Sequence, residues 1–326
     1  MDDFKAMVAQ AHGLGMHVIL DWVAAHTAWD NRWATEHRDW CKKNDKGELF
    51  PVTFTNGPEP EYWTDVIALD YTKLALWQGM TDAMSFWVRE TDIDGFRCDV
   101  AGLVPVPFWN HVRAELDKIK PVFMLAEWAG PALHEKAFDM TYDWDLADLF
   151  KKIGKGQAGV RELQDYFRNP PKAFPPHAIR MLFTNNHDFN SWHGTDPELY
   201  GPAYTALAVL AATLPGMPLI YSGQESGLDK QLASFEKDQI EWSNHPLAGF
   251  YATLLASKRM NPALANGQYG GELELLDTGN DKVFAFQRVL GSNVVTVAVN
   301  LSASAQANPI DRKKLETLEP WGWKIV

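Results

Sequence analysis

The order in which helical and strand periodicities follow one another constrains this chain more than any other feature. Phe4, Met7, Val8 and Ala11 fall at helical spacing, and Gly13 and Gly15 stop the run. HVILD, a short apolar run ending in Asp21, reads as a strand. Helical spacing returns from about Leu74 to Glu90, and IDGFRCDV reads as the next strand. A helix near Phe108–Lys120 is followed by the strand PVFMLAEW. FDMTYDW is a further strand, with helical segments from Leu146 to Arg168. AIRMLFTNNHD is a strand, Pro202–Leu214 a helix, MPLIYSGQE a strand and Phe250–Lys258 a helix. Such alternation argues for parallel strands joined by helical crossovers. Of the six candidate strands, four end in polar or charged residues: Asp21, Asp99, Glu127 and Asn186-His187-Asp188. Chemistry in α/β folds gathers at the carboxyl ends of parallel strands. Strand after strand ending this way fits a (β/α)8-type TIM barrel better than an open sheet, which concentrates ligands at one switch point.

The pattern changes near Asn261. GELELLD, KVFAFQRV and NVVTVAVNLS alternate apolar and polar residues between Gly, Asn and Asp turns, and the chain ends in PWGWKIV. This predicts a small antiparallel β-sandwich domain over 261–326 after a barrel domain over 1–260. The polar, aromatic stretch at about 27–71, with the turn KKNDKGE, reads as a loop excursion from the barrel. Trp29, Trp33, Trp40 and Trp63 lie in it, either shaping a cleft or packing as a small aromatic cluster.

A net charge of −12 argues against nucleic acid or an anionic membrane as partner, since both select basic surfaces. No apolar run approaches a membrane span. The opening residues MDDFKAMVAQ lack the features of a signal peptide, so a soluble protein is expected and its compartment stays open. Two cysteines, Cys41 and Cys98, make no disulfide framework. Fourteen tryptophans are many for this length; most suit core packing, and some suit flat platforms against sugar rings.

The stretch TDIDGFRCDVAGL poses the sharpest chemical question. In a strand, residues two apart share a face, so Arg97 and Asp99 lie together, opposite Phe96, Cys98 and Val100. A charged pair on the inner face of a buried strand is costly unless paired, hydrogen-bonded or at the rim of a cavity. The stretch is therefore either an internal ion pair or the edge of a site.

Five segments in order resemble signatures of the α-amylase family of retaining α-glucan hydrolases. LDWVAAH (20–26), GFRCDVAG (95–102), MLAEW (124–128) and FTNNHD (183–188) are similar to its motifs at the third, fourth, fifth and seventh barrel strands. PLIYSGQE (218–225) resembles its eighth-strand ending. The resemblance implies catalytic roles for Asp99 as nucleophile, Glu127 as general acid and base, and Asp188 as stabiliser of the distorted sugar. It implies that Arg97 orients Asp99, that His26, Trp128 and His187 bind substrate, and that Asp21 supports Arg97. Retaining glycosidases need two carboxyl groups in different protonation states. Arg97 beside Asp99 favours the ionised nucleophile, while burial and neighbouring carboxylates would favour a protonated Glu127. The implied substrates are α-1,4-glucans: starch, maltodextrin or cyclodextrin. Transglycosylation by the same carboxylates, or a glucan-binding fragment without turnover, are the alternatives.

Departures from the family pattern carry further expectations. Ala25 stands where many members place an Asn that binds calcium, and Ala101-Gly102-Leu103 replaces a common Lys-His continuation. The usual calcium site is altered. Asp30, Asn31 and Asp45 offer other oxygen ligands, though solvated loop residues explain them more simply. Phe189 stands where a polar residue is usual and is expected to alter a subsite. The family's first two strands find no counterpart, which predicts an N-terminally truncated barrel. Open edges beside HVILD and MPLIY would then favour self-association or another segment across the gap.

Overall fold

A computed structural model describes residues 1–55, 57–242, 244–310 and 316–326. The chain forms two compact units, Met1–Tyr142 and Asp143–Val326. Their division falls inside the stretch expected to be barrel, and the C-terminal antiparallel strands lie wholly in the second unit.

The first unit opens with α1 (Asp2–Gly13), whose first turn carries Asp2 and Asp3, charges that suit the helix dipole. β1 (Ile19–Val23) follows. The excursion is more regular than its polar sequence suggests. β2 (His26–Ala28), the short α2 (Trp33–Glu36), β3 (Pro51–Phe54) and β4 (Glu61–Ala68) include an antiparallel sheet ordered β2-β4-β3. Its alternation is obscured by a register shift between Pro51 and Val52. Trp40 is buried there, stacked on His37 at 3.9 Å and edge-on to Trp33 at 5.1 Å, so these two tryptophans pack as an aromatic cluster.

Then come α3 (Leu74–Thr91), β5 (Gly95–Asp99), α4 (Val106–Asp117), β6 (Phe123–Ala126) and β7 (Met140–Tyr142). The strands form a parallel ladder in the order β1-β5-β6-β7. β5 is central, and its outer face sends Phe96 and Cys98 into a core with Met80, Met84 and Val88 of α3 and Phe108, Trp109 and Val112 of α4. Its inner face carries Arg97 and Asp99. Parallel register sets Asp21 beside Arg97 and Val23 beside Asp99. Cys41 and Cys98 are both buried free thiols.

The second unit contains α5 (Trp144–Gly154), α6 (Val160–Arg168), β8 (Ile179–Leu182), α7 (Asp196–Tyr200), α8 (Tyr204–Thr213), β9 (Met217–Pro218) and α9 (Ala248–Met260). In α5, Leu146, Ala147, Phe150 and Ile153 form the buried stripe, and Asp143 caps the N-terminus by accepting from Leu146 N at 3.3 Å. α8 is buried on every side from Ala206 to Thr213, which its alanine-rich sequence permits. The strand expected at MPLIY shortens to two residues parallel to β8. Among the described residues, β1 pairs only with β5 and β9 only with β8, so each has an outer edge without a strand partner.

The C-terminal segment is antiparallel, as expected. β10 (Glu272–Leu276), β11 (Val283–Leu290) and β12 (Asn293–Asn300) form one sheet that closes with β15 (Trp323–Ile325). β13 (Gln306–Ala307) and β14 (Thr317–Leu318) form a second. Val283, Ala285 and Ala298 of the first sheet pack with Leu318 of the second. The other face of β11 carries Phe284, Phe286 and Arg288, all fully buried. Arg288 donates to the carbonyls of Thr213 at 2.9 Å and Gly271 at 3.0 Å, thereby capping the end of α8. Lys258 donates to Gly216 O at 3.1 Å and Leu264 O at 2.7 Å.

Two predictions follow from this packing. Gly95 opens β5 at φ +152°, and a Cβ there would lie 1.8 Å from Phe123 O. Gly95→Ala should cost about 3 kcal/mol in urea denaturation, from backbone strain plus overpacking; a loss below about 1 kcal/mol would contradict the fold at this point. Burial, aided by the charge of Arg288, lowers the Lys258 pKa to about 8. In the unfolded chain a lysine holds its proton to about pH 10.4. The unfolded state therefore binds more protons between those values, and stability rises with pH across that window. Lys258→Met should flatten this rise, measured by urea denaturation from pH 8 to 10; unchanged slopes would exclude Lys258 as its source.

Candidate active site

The site in the first unit is built around one guanidinium. Arg97 is buried on the inner face of β5. Its Nη1 donates to Asp21 Oδ1 at 2.8 Å and to Asp99 Oδ1 at 2.9 Å. Its Nε donates to the Tyr142 hydroxyl at 3.3 Å. Nη2 lies 2.5 Å from Glu127 Oε1, an ion pair. Burial works against the Arg97 charge, but Tyr142, Glu127 and Asp21 outweigh it and drive its pKa above the ordinary value. The side chains come from neighbouring strands in register: Asp21 from β1, Arg97 and Asp99 from β5, Glu127 from the end of β6 and Tyr142 from β7.

Backbone geometry completes the arrangement. Val100, immediately after Asp99, adopts φ +34°, a conformation that β-branched residues rarely take. The turn directs its N–H to Glu127 Oε2 at 2.9 Å, while Glu127 N donates to Cys98 O at 2.9 Å. Strain of this kind persists where the surroundings over-determine it, and it clusters at functional sites. The environment expected for Glu127 is half met. The side chain is buried, but its nearest charged neighbour is the Arg97 cation rather than another carboxylate.

His26 is partly buried beside Trp63, with ring centroids 5.8 Å apart. Burial lowers its pKa against the opposing charges of Asp99 and Asp65. Its Nδ1 is buried without a hydrogen bond among the described residues. Trp128 packs edge-on to Phe54 at 6.4 Å and covers Gly102, where a Cβ would lie 2.0 Å from the indole. The smallest residue is therefore required where the family pattern has a common alternative. At the altered calcium position, Ala25 is a buried side chain without an oxygen. Asn31 Oδ1 accepts from Trp33 N at 2.9 Å, a local turn bond.

In the second unit, His187 and Asp188 stand side by side with Nε2 3.6 Å from Oδ1, both half-exposed. Tyr221, from the eighth-strand motif, has its pKa raised by burial and then by the charge of Asp188. A network that the sequence did not reveal holds this end of β8. Asn186 Oδ1 accepts from Phe189 N at 2.7 Å. Asn185 Nδ2 donates to Asp196 Oδ1 at 2.9 Å, and Gln224 Nε2 donates to Asp196 Oδ2 at 2.7 Å. Gln224 also reaches Thr184 Oγ1 at 2.9 Å, and the Tyr200 hydroxyl donates to Thr184 O. Burial raises the Asp196 pKa despite these two donors. Phe189 is buried against Trp144 at 5.7 Å and Phe183 at 5.5 Å, with Lys151 Nζ 3.8 Å from its ring centre.

A family model described as the alpha amylase catalytic domain matches residues 1–250. The chain belongs to the α-amylase family. It is 25% identical over 319 residues to the alpha-amylase MalA of Haloarcula japonica, covering 92% of this chain and 45% of that protein. A cyclomaltodextrinase of Geobacillus thermopakistaniensis is 26% identical, covering 95% of this chain and 55% of the relative. The chain thus spans about half the length of the curated relatives it matches. Among solved structures, a noncanonic maltogenic alpha-amylase, AmyB, from Thermotoga neapolitana superposes with a TM-score of 0.81 at 28% identity, covering 94% of this chain and 69% of that one. An alpha-amylase from Lactobacillus plantarum gives 0.82 at 26% identity, covering 100% and 81%. The expected α/β class, with parallel strands of the TIM-barrel type and further antiparallel sheets, is the fold these α-amylases share.

The geometry ranks two substitutions. Arg97 is the cation that Asp21, Asp99 and Glu127 share, and the side chain of Glu127 is only 9% exposed against 62% for Asp21. Arg97→Ala should destabilise the fold by about 3–5 kcal/mol, because a buried carboxylate loses its counter-ion. Asp21→Ala should cost no more than about 1 kcal/mol. Urea denaturation of both variants measures the order, and equal losses would contradict it.

Proposed function

We propose that this chain carries the catalytic residues of a retaining glycoside hydrolase acting on α-1,4-glucans such as starch, maltodextrin or cyclodextrin. Asp99 is the nucleophile that attacks the anomeric carbon. Glu127 protonates the leaving oxygen and then activates the water that releases the product. Asp188 stabilises the positive charge that develops on the sugar ring, and His26, His187 and Trp128 bind substrate. Arg97 orients the nucleophile and Asp21 supports Arg97. The observation that carries this reading is the Arg97 bridge between Asp99 and Glu127. Retaining enzymes hold their two carboxyl groups about 5 Å apart, and one guanidinium contacting both side chains is compatible with that spacing. Relatives named as an alpha-amylase and a cyclomaltodextrinase support the substrate class.

The second reading, glucanosyl transfer to a sugar acceptor, is favoured by a relative named as an alpha-1,4-glucan:maltose-1-phosphate maltosyltransferase, 26% identical over 323 residues. The same covalent intermediate serves both outcomes, and the acceptor decides between them. No helix among the described residues is long and apolar enough to cross a membrane. Self-association, if it occurs, would use the outer edges of β1 and β9.

Incubation with soluble starch should release reducing ends. Asp99→Asn and Glu127→Gln should each lower kcat at least about a thousandfold, the scale of losing a catalytic group. Longer oligosaccharides formed from maltotriose without new reducing ends would instead identify the transferase. Starch binding without turnover would identify a binding fragment.

A further inference from the structure

Beyond the carboxylates, the second unit holds two large aromatic rings out in solvent on a braced frame. Asp188 precedes a single π-helical turn, Phe189–His193, closed by Gly194 N donating to Phe189 O at 2.9 Å. Such turns are rare and recur at functional sites. Phe189 and Asn190 face inward and are buried, whereas Asp188 and Trp192, four residues apart, both reach solvent. They therefore share the outer face of one turn. Trp192 is 61% exposed, and Phe235, whose ring lies 6.2 Å from it, is 82% exposed.

Neither ring stands on a loose loop. Asn190 Nδ2 donates to Lys230 O at 3.0 Å, and Asn190 Oδ1 accepts from Leu232 N at 2.8 Å. Ser191 Oγ donates to Leu232 O at 2.9 Å. These three bonds clamp the turn bearing Trp192 to the loop bearing Phe235. That loop is closed in turn by Asp238, which accepts from Ala233 N at 3.1 Å and Gln239 N at 2.8 Å and pairs with Lys230. Ordering a backbone costs conformational entropy, and two rings left in water return little of it to folding. Their arrangement makes sense when a ligand covers them.

We propose that Trp192 and Phe235, edge-on to one another at an interplanar angle of 63°, form an angled aromatic platform whose indole face stacks a glucose unit of an α-glucan chain bound beyond the sugar that meets Asp188. The inference rests on the function proposed above. A pyranose ring offers an apolar C–H face that stacks on a flat side chain, and its neutrality suits a protein of net charge −12 better than an anionic ligand would. One turn along from Asp188, the platform meets only chains long enough to extend past the reacting sugar. It is thus a determinant of chain-length preference.

The test compares kcat/KM on soluble starch and on maltotriose for the parent, Trp192→Ala, Phe235→Ala, the double variant and Trp192→Phe. The double variant should lower the starch-to-maltotriose ratio roughly tenfold, mainly through KM for starch, and each single variant less. Trp192→Phe keeps a flat ring and should restore most of the loss. An unchanged ratio in the double variant, or an equal fall on both substrates, overturns the platform. Titration of maltoheptaose into Asp99→Asn by calorimetry separates the two proposals. Turnover that depends on Asp99 with an unchanged ratio sinks the platform alone. Maltoheptaose binding to Asp99→Asn that the added platform changes abolish, in a protein whose parent shows no turnover, sinks the hydrolase reading alone.

Discussion

A single buried cation organises the first unit. Arg97 meets three carboxylates and a phenol from four successive parallel strands. Removing a guanidinium and several carboxylates from water is expensive, and a hydrophobic replacement of similar volume is often as stable or more so. Stability alone is therefore a poor reason to keep such a cluster. Position is a better one. A planar fork with fixed N–H directions sets where each carboxylate sits relative to the others, which an ammonium on a flexible stem could not do. The Val100 turn adds to this, since its strained backbone delivers an N–H to the second oxygen of Glu127. Glu127 is thus held through both oxygens, and catalytic geometry tolerates little slack.

The second unit meets the same problem by different chemistry. Asp196 is as buried as Arg97 but has two neutral amides, Asn185 and Gln224, as its recorded donors. Neutral donors stabilise a carboxylate less than a cation does, and burial accordingly raises the Asp196 pKa. The network ties the residues just before His187 and Asp188 to the turn that follows β9. Asp188 itself stays half-exposed, so the cost of burial falls on the residue that braces the loop and not on the one proposed to face substrate.

Much of this was legible in the sequence, for identifiable reasons. Short apolar strands that end in charged residues announce themselves, which is why Asp21, Arg97, Asp99 and Glu127 emerged from spacing and from family resemblance together. Alternation in GFRCDV fixed the two faces of β5 before any coordinates. The excursion at 27–71 was harder, because an antiparallel sheet with a register shift at Pro51 and Val52 lacks a clean period of two. Tyr142 was missed because nothing in FDMTYDW distinguishes a tyrosine that touches a guanidinium from one that packs. Asn185, Asp196 and Gln224 were missed as a network because their bonds join residues 11 and 28 positions apart in the sequence. The burial of Phe189 was not legible for a related reason: its packing partners Trp144 and Phe183 lie elsewhere in the sequence.

The parallel ladder treats its two ends unequally. At the amino end of β5, Asp94 accepts from Val18 N at 2.8 Å, meets His12 at 2.8 Å and pairs with Lys120 at 3.2 Å. Burial opposes its charge, but those partners prevail and hold the carboxyl well below the usual range. Val18 N, His12 and Lys120 all find their acceptor in this one carboxylate. At the carboxyl end, His26 Nδ1 is buried without a hydrogen bond among the described residues, and Val100 is strained. Folding free energy alone would favour relieving both, since an unmet polar atom and a left-handed β-branched residue each cost on the order of 1–3 kcal/mol. The chain thus concentrates its unmet demand at the strand ends where chemistry gathers in α/β folds, and closes its ion pairs at the opposite end.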